Sequence, residues 1–285
     1  MALDIAVIFS GKAVASPFCR ISGIMNRRRL FAISDPHLSF ANPKPMDVFG
    51  PKWHNHAATL EDNWRRVVGH GDIVLVAGDI SWAMRLEAAR YDLEWLAGLP
   101  GEKILVRGNH DYWWGSLAKL KALRLPGMHY VQNNHVAIGS LAVGGSRLWD
   151  YPGITWPFIA NVDSRTSPPE PPPALFMPDE HEGDPEKIRI RELERLTLSL
   201  RGMPASTPLK AVITHFPPLG EDGLPTPITD LIGSFDIDVC VFGHIHSPAA
   251  PGCTRPGEDI VIGKTRYVLA STDILDHAPK LLAEF

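Results

Sequence analysis

From Leu30 onward, apolar residues gather in short runs rich in β-branched side chains, separated by stretches in which apolar positions recur at helical spacing. The runs Leu30–Ser34, Ile73–Ala77, Ile104–Arg107, Ala211–Thr214 and Val239–Phe242 predict buried strands. Leu60, Trp64 and Val67, then Leu86, Leu93 and Leu96, then Leu117, Leu120 and Leu123 predict helices, as do Ile190, Leu193, Leu196 and Leu200 with Glu192 and Glu194 outward. This is an αβ alternation. Met128–Gln132, His135–Ile138 and Leu141–Val143 read as a meander with Asn/Gly turns, and Ile260–Ile262 with Tyr267–Ala270 as a hairpin. Two packed sheets with helices outside house both strand groups.

Two stretches break the pattern. Residues 1–28 lack the basic start of a signal peptide, their apolar run is interrupted at Gly11 and Lys12, and the arginines come late, so they read as an extension, with Met25 a candidate initiator. Residues 152–185 scatter prolines among acidic side chains and predict a loop or partly disordered insertion. The remainder, 29–285, reads as a single domain. The 28 Lys+Arg nearly cancel the 32 Asp+Glu, so no global basic field draws in long nucleic acid or anionic lipid. Three widely spaced cysteines, Cys19, Cys240 and Cys253, fit neither a disulfide framework nor a zinc finger and point to a cytoplasmic setting, with Cys240 in the core. No apolar run approaches the ~20 residues of a membrane span. Oligomeric state leaves no signature.

The predicted αβ strands share one feature at their carboxyl ends. Asp35-Pro36-His37, Gly78-Asp79, Gly108-Asn109-His110-Asp111, His215 and Gly243-His244-Ile245-His246 all supply metal-ligating or proton-transferring side chains where α/β sheets assemble their sites. Each alone is an ordinary turn residue; together they argue for convergence. Carboxylate, imidazole and amide donors suit divalent Mn, Fe, Co, Ni or Zn better than Ca or Mg. The ligand set exceeds what one ion needs, and Asp79 is placed to bridge a pair, as in two-metal hydrolases.

The same blocks, in the same order, resemble the metal-site signature of the calcineurin-like metallophosphoesterases. Gly78-Asp79-Ile80-Ser81-Trp82-Ala83-Met84 and Arg107-Gly108-Asn109-His110-Asp111-Tyr112-Trp113-Trp114 look like a bacterial branch of predicted phosphohydrolases, with similarity from about Leu30 to Leu282. The resemblance implies a four-layer αββα sandwich of two mixed β-sheets flanked by helices. It places Asp35, His37, Asp79 and His246 on one ion and Asp79, Asn109, His215 and His244 on the other, with Mn favoured. It makes His110 the catalytic residue that assists departure of the leaving oxygen as metal-bound hydroxide attacks phosphorus. Trp82 stands where the protein phosphatase branch has an Asp, which argues against a Ser/Thr phosphatase and leaves the orienting partner of His110 open.

The expected activity is therefore hydrolysis of a small phosphate ester, monoester or diester. The alternatives are a nucleotide or lipid-linked pyrophosphate hydrolase and a non-catalytic scaffold that binds proteins. Retention of every ligand weighs against the scaffold, since buried polar groups are costly without a partner. Arg147 and Trp149, after Gly144-Gly145, are the candidate phosphate-contacting arm, because a guanidinium offers phosphate a planar fork. Ser81, Trp82, Tyr112, Trp113 and Trp114 are candidates to line the pocket or to pack. His54 and His56 read as loop or helix-start residues, while His70, His129, His135, His181 and His277 carry no assigned role.

Overall fold

The computed structural model describes residues 27–154, 156, 184–220, 222–246 and 259–285. Met25, Cys19, Cys253, His181 and most of both the extension and the Pro-rich insertion lie outside the described residues. In chain order the elements are β1 (Arg29–Ile33), α1 (His56–Val67), β2 (Ile73–Val76), α2 (Leu86–Ala97), β3 (Glu102–Val106), α3 (Leu117–Lys121), β4 (Met128–Val131), β5 (Val136–Ile138), β6 (Leu141–Ser146), α4 (Pro185–Arg201), β7 (Leu209–Thr214), α5 (Pro227–Gly233), β8 (Val239–Phe242), β9 (Ile260–Ile262), β10 (Thr265–Leu269) and β11 (Lys280–Glu284). Short 3-10 turns at Met46–Phe49 and Pro51–Trp53 precede α1.

The strands form a five-stranded sheet, β11-β1-β2-β3-β4, and a six-stranded sheet, β5-β6-β7-β8-β10-β9. Side chains alternate across a strand, so each strand feeds two different cores. Leu30, Ala32, Leu75 and Ile104 meet Val143, Ile213, Val241 and Val268 between the sheets. Phe31, Ile33, Val74 and Leu105 face outward onto Leu60, Trp64, Leu93 and Leu120 of α1, α2 and α3. Val212, Cys240, Phe242 and Tyr267 face the other way onto Leu196, Leu200, Ile228 and Ile232 of α4 and α5. The result is the four-layer αββα sandwich. Each fully buried Leu or Ile contributes roughly 2 kcal/mol.

Two expectations are corrected. The meander does not exist as one unit, because β4 pairs in parallel with β3 in the first sheet, whereas β5 and β6 are an antiparallel pair in the second. Asn134 makes the corner: its side chain accepts from the Gln132 amide at 3.1 Å and donates to the Tyr130 carbonyl at 3.1 Å, turning the chain from one sheet to the other. On α4, Glu192 points inward while Ile190 is exposed. The helix is rotated because the buried Arg147 guanidinium faces Glu192, and a buried charge requires a partner. A further strand, β11, pairs antiparallel to β1.

Candidate metal centre

β1, β2 and β3 run parallel, as do β6, β7, β8 and β10, so the loops that follow them open on a common rim. Those loops continue the sheet's bonding beyond the strands. Asp35 N donates to Gly78 O at 3.0 Å, His37 N to Asp79 O at 3.1 Å, and Leu38 N to Ile80 O at 2.9 Å. Asp111, fully buried, accepts from Ile80 N (2.9 Å), Ser81 N (3.1 Å), Gly108 N (2.8 Å) and Trp113 Nε1 (3.0 Å), tying the β2 loop to the β3 loop. Burial, and then the nearby Asp79, push the Asp111 carboxyl up to about 7.

The backbone is left-handed at Asp35 (φ 58°), His37 (φ 45°), Asp79 (φ 50°) and His244 (φ 70°). Non-glycine residues hold such angles at a cost of about 1 kcal/mol or more each, and only where surrounding bonds over-determine them. Space is equally constrained. A Cβ at Gly108 would collide with the Asp79 carboxylate, and one at Gly243 with Ser34 Oγ and the Asp35 carboxylate.

Donor atoms converge from both sheets. His215 Nε2 is 2.6 Å from Asn109 Oδ1 and 3.5 Å from Asp79 Oδ1, and His244 Nδ1 is 3.1 Å from the same Asn109 oxygen. His37 Nε2 lies 3.8 Å from Asp79 Oδ2 and 3.4 Å from His246 Nε2, which in turn is 3.9 Å from Asp35 Oδ1. Burial, reinforced by neighbouring imidazoles, drives His37 and His244 well below the usual histidine range, leaving neutral rings with a free lone pair. Asp79 is held below the usual carboxylate range: burial opposes this, but His215, His110 and His37 outweigh it.

The outer nitrogens are fixed. His215 Nδ1 donates to Ala77 O at 2.9 Å, which turns its Nε2 toward the Asn109 oxygen. His246 Nδ1 bonds Asp273 Oδ1 at 2.9 Å; although burial pulls the ring down, Asp273 raises His246 to about 9. Ser271 Oγ donates to Asp35 Oδ2 at 3.0 Å. The 271–278 loop is itself latched to the segment before α1 and to α1. Lys52 Nζ donates to Asp273 O at 2.8 Å, His277 Nε2 bonds Lys52 O at 2.9 Å, and Asn63 Nδ2 donates to the Asp276 and His277 carbonyls, both at 3.1 Å.

His110 sits beside this cluster, with Nε2 4.0 Å from Asp79 Oδ2 and its amide donating to Asp79 Oδ1 at 2.8 Å. The Trp82 ring lies 4.3 Å from the His110 ring and stacks on His37 at 4.9 Å, and the Tyr112 hydroxyl is 3.4 Å from His110 Nδ1. Trp53 closes the other side of His37 and His246, at 5.8 and 5.5 Å.

Asp35, His37, Asp79, Asn109, His110, His215, His244 and His246 are thus brought together. Arg147 and Trp149 are not presented as an arm. Arg147 is buried, 3.8 Å from Glu192, and stacked on Trp149 at 4.6 Å, at the end of β6 where Ser146 Oγ donates to the Glu192 carbonyl of α4. Trp113 and Trp114 pack in the outer core. His56 opens α1, as expected for a helix-start residue. Asp273, Ser271 and Lys52 were absent from the sequence reading. The signal exists, since Ser271 and Asp273 follow a strand end: β10 forms the expected hairpin with β9 and, on its other side, pairs in parallel with β8, which local pattern does not reveal.

A two-sheet α/β sandwich whose strand ends gather Asp, Asn and His donors is the framework of a metal-dependent phosphohydrolase. The family model described as calcineurin-like phosphoesterase matches residues 28–248, and the chain belongs to that family. It is 35% identical to Gene 66 protein of Mycobacterium phage L5 over 78 residues, covering 27% of this chain and 37% of that protein. It is 25% identical to the human metallophosphoesterase domain-containing protein 1 over 145 residues, covering 42% of this chain and 44% of that protein. The chain spans less than half the length of the curated relatives it matches. It shares the fold of a phosphopantetheinyl hydrolase from Mycobacterium tuberculosis, with a TM-score of 0.51 at 17% identity over 86% of this chain and 89% of that one.

The family implies divalent metal ions. Asp35, His37 and His246 form one group whose ligand atoms lie within 4.8 Å of one another, and Asp35, Asp79 and His215 form a second. The donor chemistry fits: carboxylates, imidazole nitrogens and an amide oxygen are ligand types of a divalent ion, and Asn109 Oδ1 lies 2.6 Å from His215 Nε2 and 3.1 Å from His244 Nδ1. Among the described residues no helix is long and apolar enough to cross a membrane.

Proposed function

We propose that this protein is a phosphoesterase that holds two divalent transition-metal ions at the strand-end rim and hydrolyses a small phosphate ester. Asp35, His37, Asp79 and His246 would hold one ion, and Asp79, Asn109, His215 and His244 the other. The observation that carries this reading is the convergence of carboxylate, imidazole and amide side chains from both sheets on one rim, where two groups of ligand atoms lie within 4.8 Å of one another. Asp79 is favoured as the shared ligand over Asp35. His215 spends its Nδ1 on Ala77, and its remaining nitrogen faces Asp79.

The bound ions would supply Lewis-acid charge toward phosphate oxygens and acidify water. The mixed donors favour a borderline ion such as Mn, Fe, Co, Ni or Zn, with Mn the first to test. His110, beside Asp79 and braced by Trp82 and Tyr112, would give the departing oxygen its proton. Asp273 and Ser271 orient His246 and Asp35. The sparse cysteines support a cytoplasmic setting.

The test pairs metal content with hydrolysis of bis-p-nitrophenyl phosphate and p-nitrophenyl phosphate, for the wild type and Asp79→Asn. About two ion equivalents, and turnover that falls at least about a thousandfold in the variant, are expected. Neither bound ion nor turnover after addition of Mn overturns the reading.

A further inference from the structure

We propose that Lys44 is the substrate-facing cation of this site, and that it selects a phosphate compound whose leaving group is itself anionic, namely a phosphoanhydride. The inference rests on the phosphoesterase reading and deepens it.

A hydrolase acting on polyanions needs positive charge beside the reacting phosphorus, and three basic residues at the rim are committed elsewhere. Arg147 faces Glu192, Lys52 is bonded to Asp273 O and Asp276, and Arg107 Nε donates to Asp111 O at 3.3 Å. Lys44 differs. Its ammonium lies 4.4 Å from the centroid of the Trp82 ring, and no carboxylate among the described residues lies within ion-pair distance of it. Trp82 is the ring that packs on both His37 and His110, so the charge is set next to the group that serves the leaving oxygen.

The presentation is built rather than incidental. Pro43 and Pro45 flank the residue, which restricts its backbone to extended conformations and removes neighbouring amide donors. Lys44 N donates to Ser39 Oγ at 3.0 Å, and the next anchor, Met46, is buried under Trp82, whose Nε1 points at its sulfur at 3.2 Å. A long, flexible side chain on so fixed a base places its charge over one aromatic face, where cation–π attraction holds it until an anion arrives.

A charge at the leaving-group side contributes most when that group departs with negative charge of its own. For an anhydride, water adds to phosphorus as the bridging P–O bond breaks. The bridging oxygen leaves with the electron pair on the second phosphate, and His110 gives it a proton that the attacking water's proton restores. Lys44 then pairs with the departing phosphate, in the strong charge-assisted class of contact.

The experiment is calorimetric titration of Mn-supplemented wild type, Lys44→Gln and Lys44→Arg with inorganic pyrophosphate and with orthophosphate, followed by kinetics on ADP and bis-p-nitrophenyl phosphate. Lys44→Gln should weaken pyrophosphate binding about tenfold more than orthophosphate binding. Its kcat/KM should fall correspondingly further on ADP than on the diester, mostly through KM, and Lys44→Arg should restore both. Equal losses for the two anions, or none, overturn the assignment. A wild type inert toward both substrates refutes the phosphoesterase reading instead, and the pyrophosphate titration still decides the role of Lys44.

Discussion

The two ends of the same sheets handle polar groups in opposite ways. At the amino ends of the strands, buried and half-buried charges are paired with opposite charges within the protein. Arg29 Nη2 meets Asp72 Oδ2 at 2.6 Å, Asp72 also accepts from Gly69 N at 2.7 Å, and Glu102 pairs with Arg28 at 3.2 Å and His129 at 2.8 Å. In the second sheet, Asp238 accepts from Lys210 N at 2.8 Å and pairs with Lys264 at 3.1 Å. At the carboxyl ends, side chains of one chemical class crowd together: His37 Nε2 lies 3.4 Å from His246 Nε2, and Asn109 Oδ1 faces the ring nitrogens of both His215 and His244. Polarity alone does not distinguish the ends. What marks the carboxyl end is that it gathers groups of three carboxylate and imidazole ligand atoms within 4.8 Å of one another.

The largest change expected at the carboxyl end that leaves the ions in place is His110→Ala. Its kcat should fall roughly 10²- to 10⁴-fold while metal content stays at the wild-type level. Equal loss of metal would make His110 a ligand. Next comes Asp273→Asn, which removes the carboxylate behind His246 without touching a donor atom. Metal affinity, followed by competition with a fluorescent chelator, should drop about 10- to 100-fold with unchanged circular dichroism. Unaltered affinity would reduce the latched 271–278 loop to packing.

Smallest is Asp72→Asn at the amino end, which should lower stability by about 1 kcal/mol in urea unfolding and leave metal binding unchanged. Burial opposes ionisation of Asp72, but Arg29 and the backbone amides of Gly69 and Arg29 hold its pKa below 3.8. The folded pKa is therefore below the unfolded one, so the stabilisation is complete above the unfolded value and is lost as pH falls through the folded one. The variant should lack that acid-side loss. A metal-binding defect in Asp72→Asn would break the division between the ends.

The sequence carried β1, β2, β3, β7 and β8 and the rim residues clearly, because β-branched runs ending in Asp, Asn or His combine two independent signals. It failed where tertiary pairing overrides local pattern. β4 and β5 look like a hairpin, yet Asn134 turns the chain into another sheet. Glu192 occupies a position that helical period alone sends outward, yet it is buried beside Arg147, with Arg195 and Arg191 of its own helix on the same carboxylate. Asp273 escaped notice because parallel pairing of β10 with β8 is a long-range fact that its short antiparallel partner β9 obscures. Lys44 escaped because its meaning depends on Trp82, which lies in another loop.

The left-handed backbone at Asp35, His37, Asp79 and His244 bears on any attempt to make this protein more robust. Glycine relieves such angles, so a screen that rewards heat resistance alone would accept replacement of the very side chains the chemistry needs. Its best survivors would be well-folded dead enzymes. Engineering of this scaffold therefore has to select for turnover and endurance together, and to seek its gains in the paired amino end, where the two demands do not conflict.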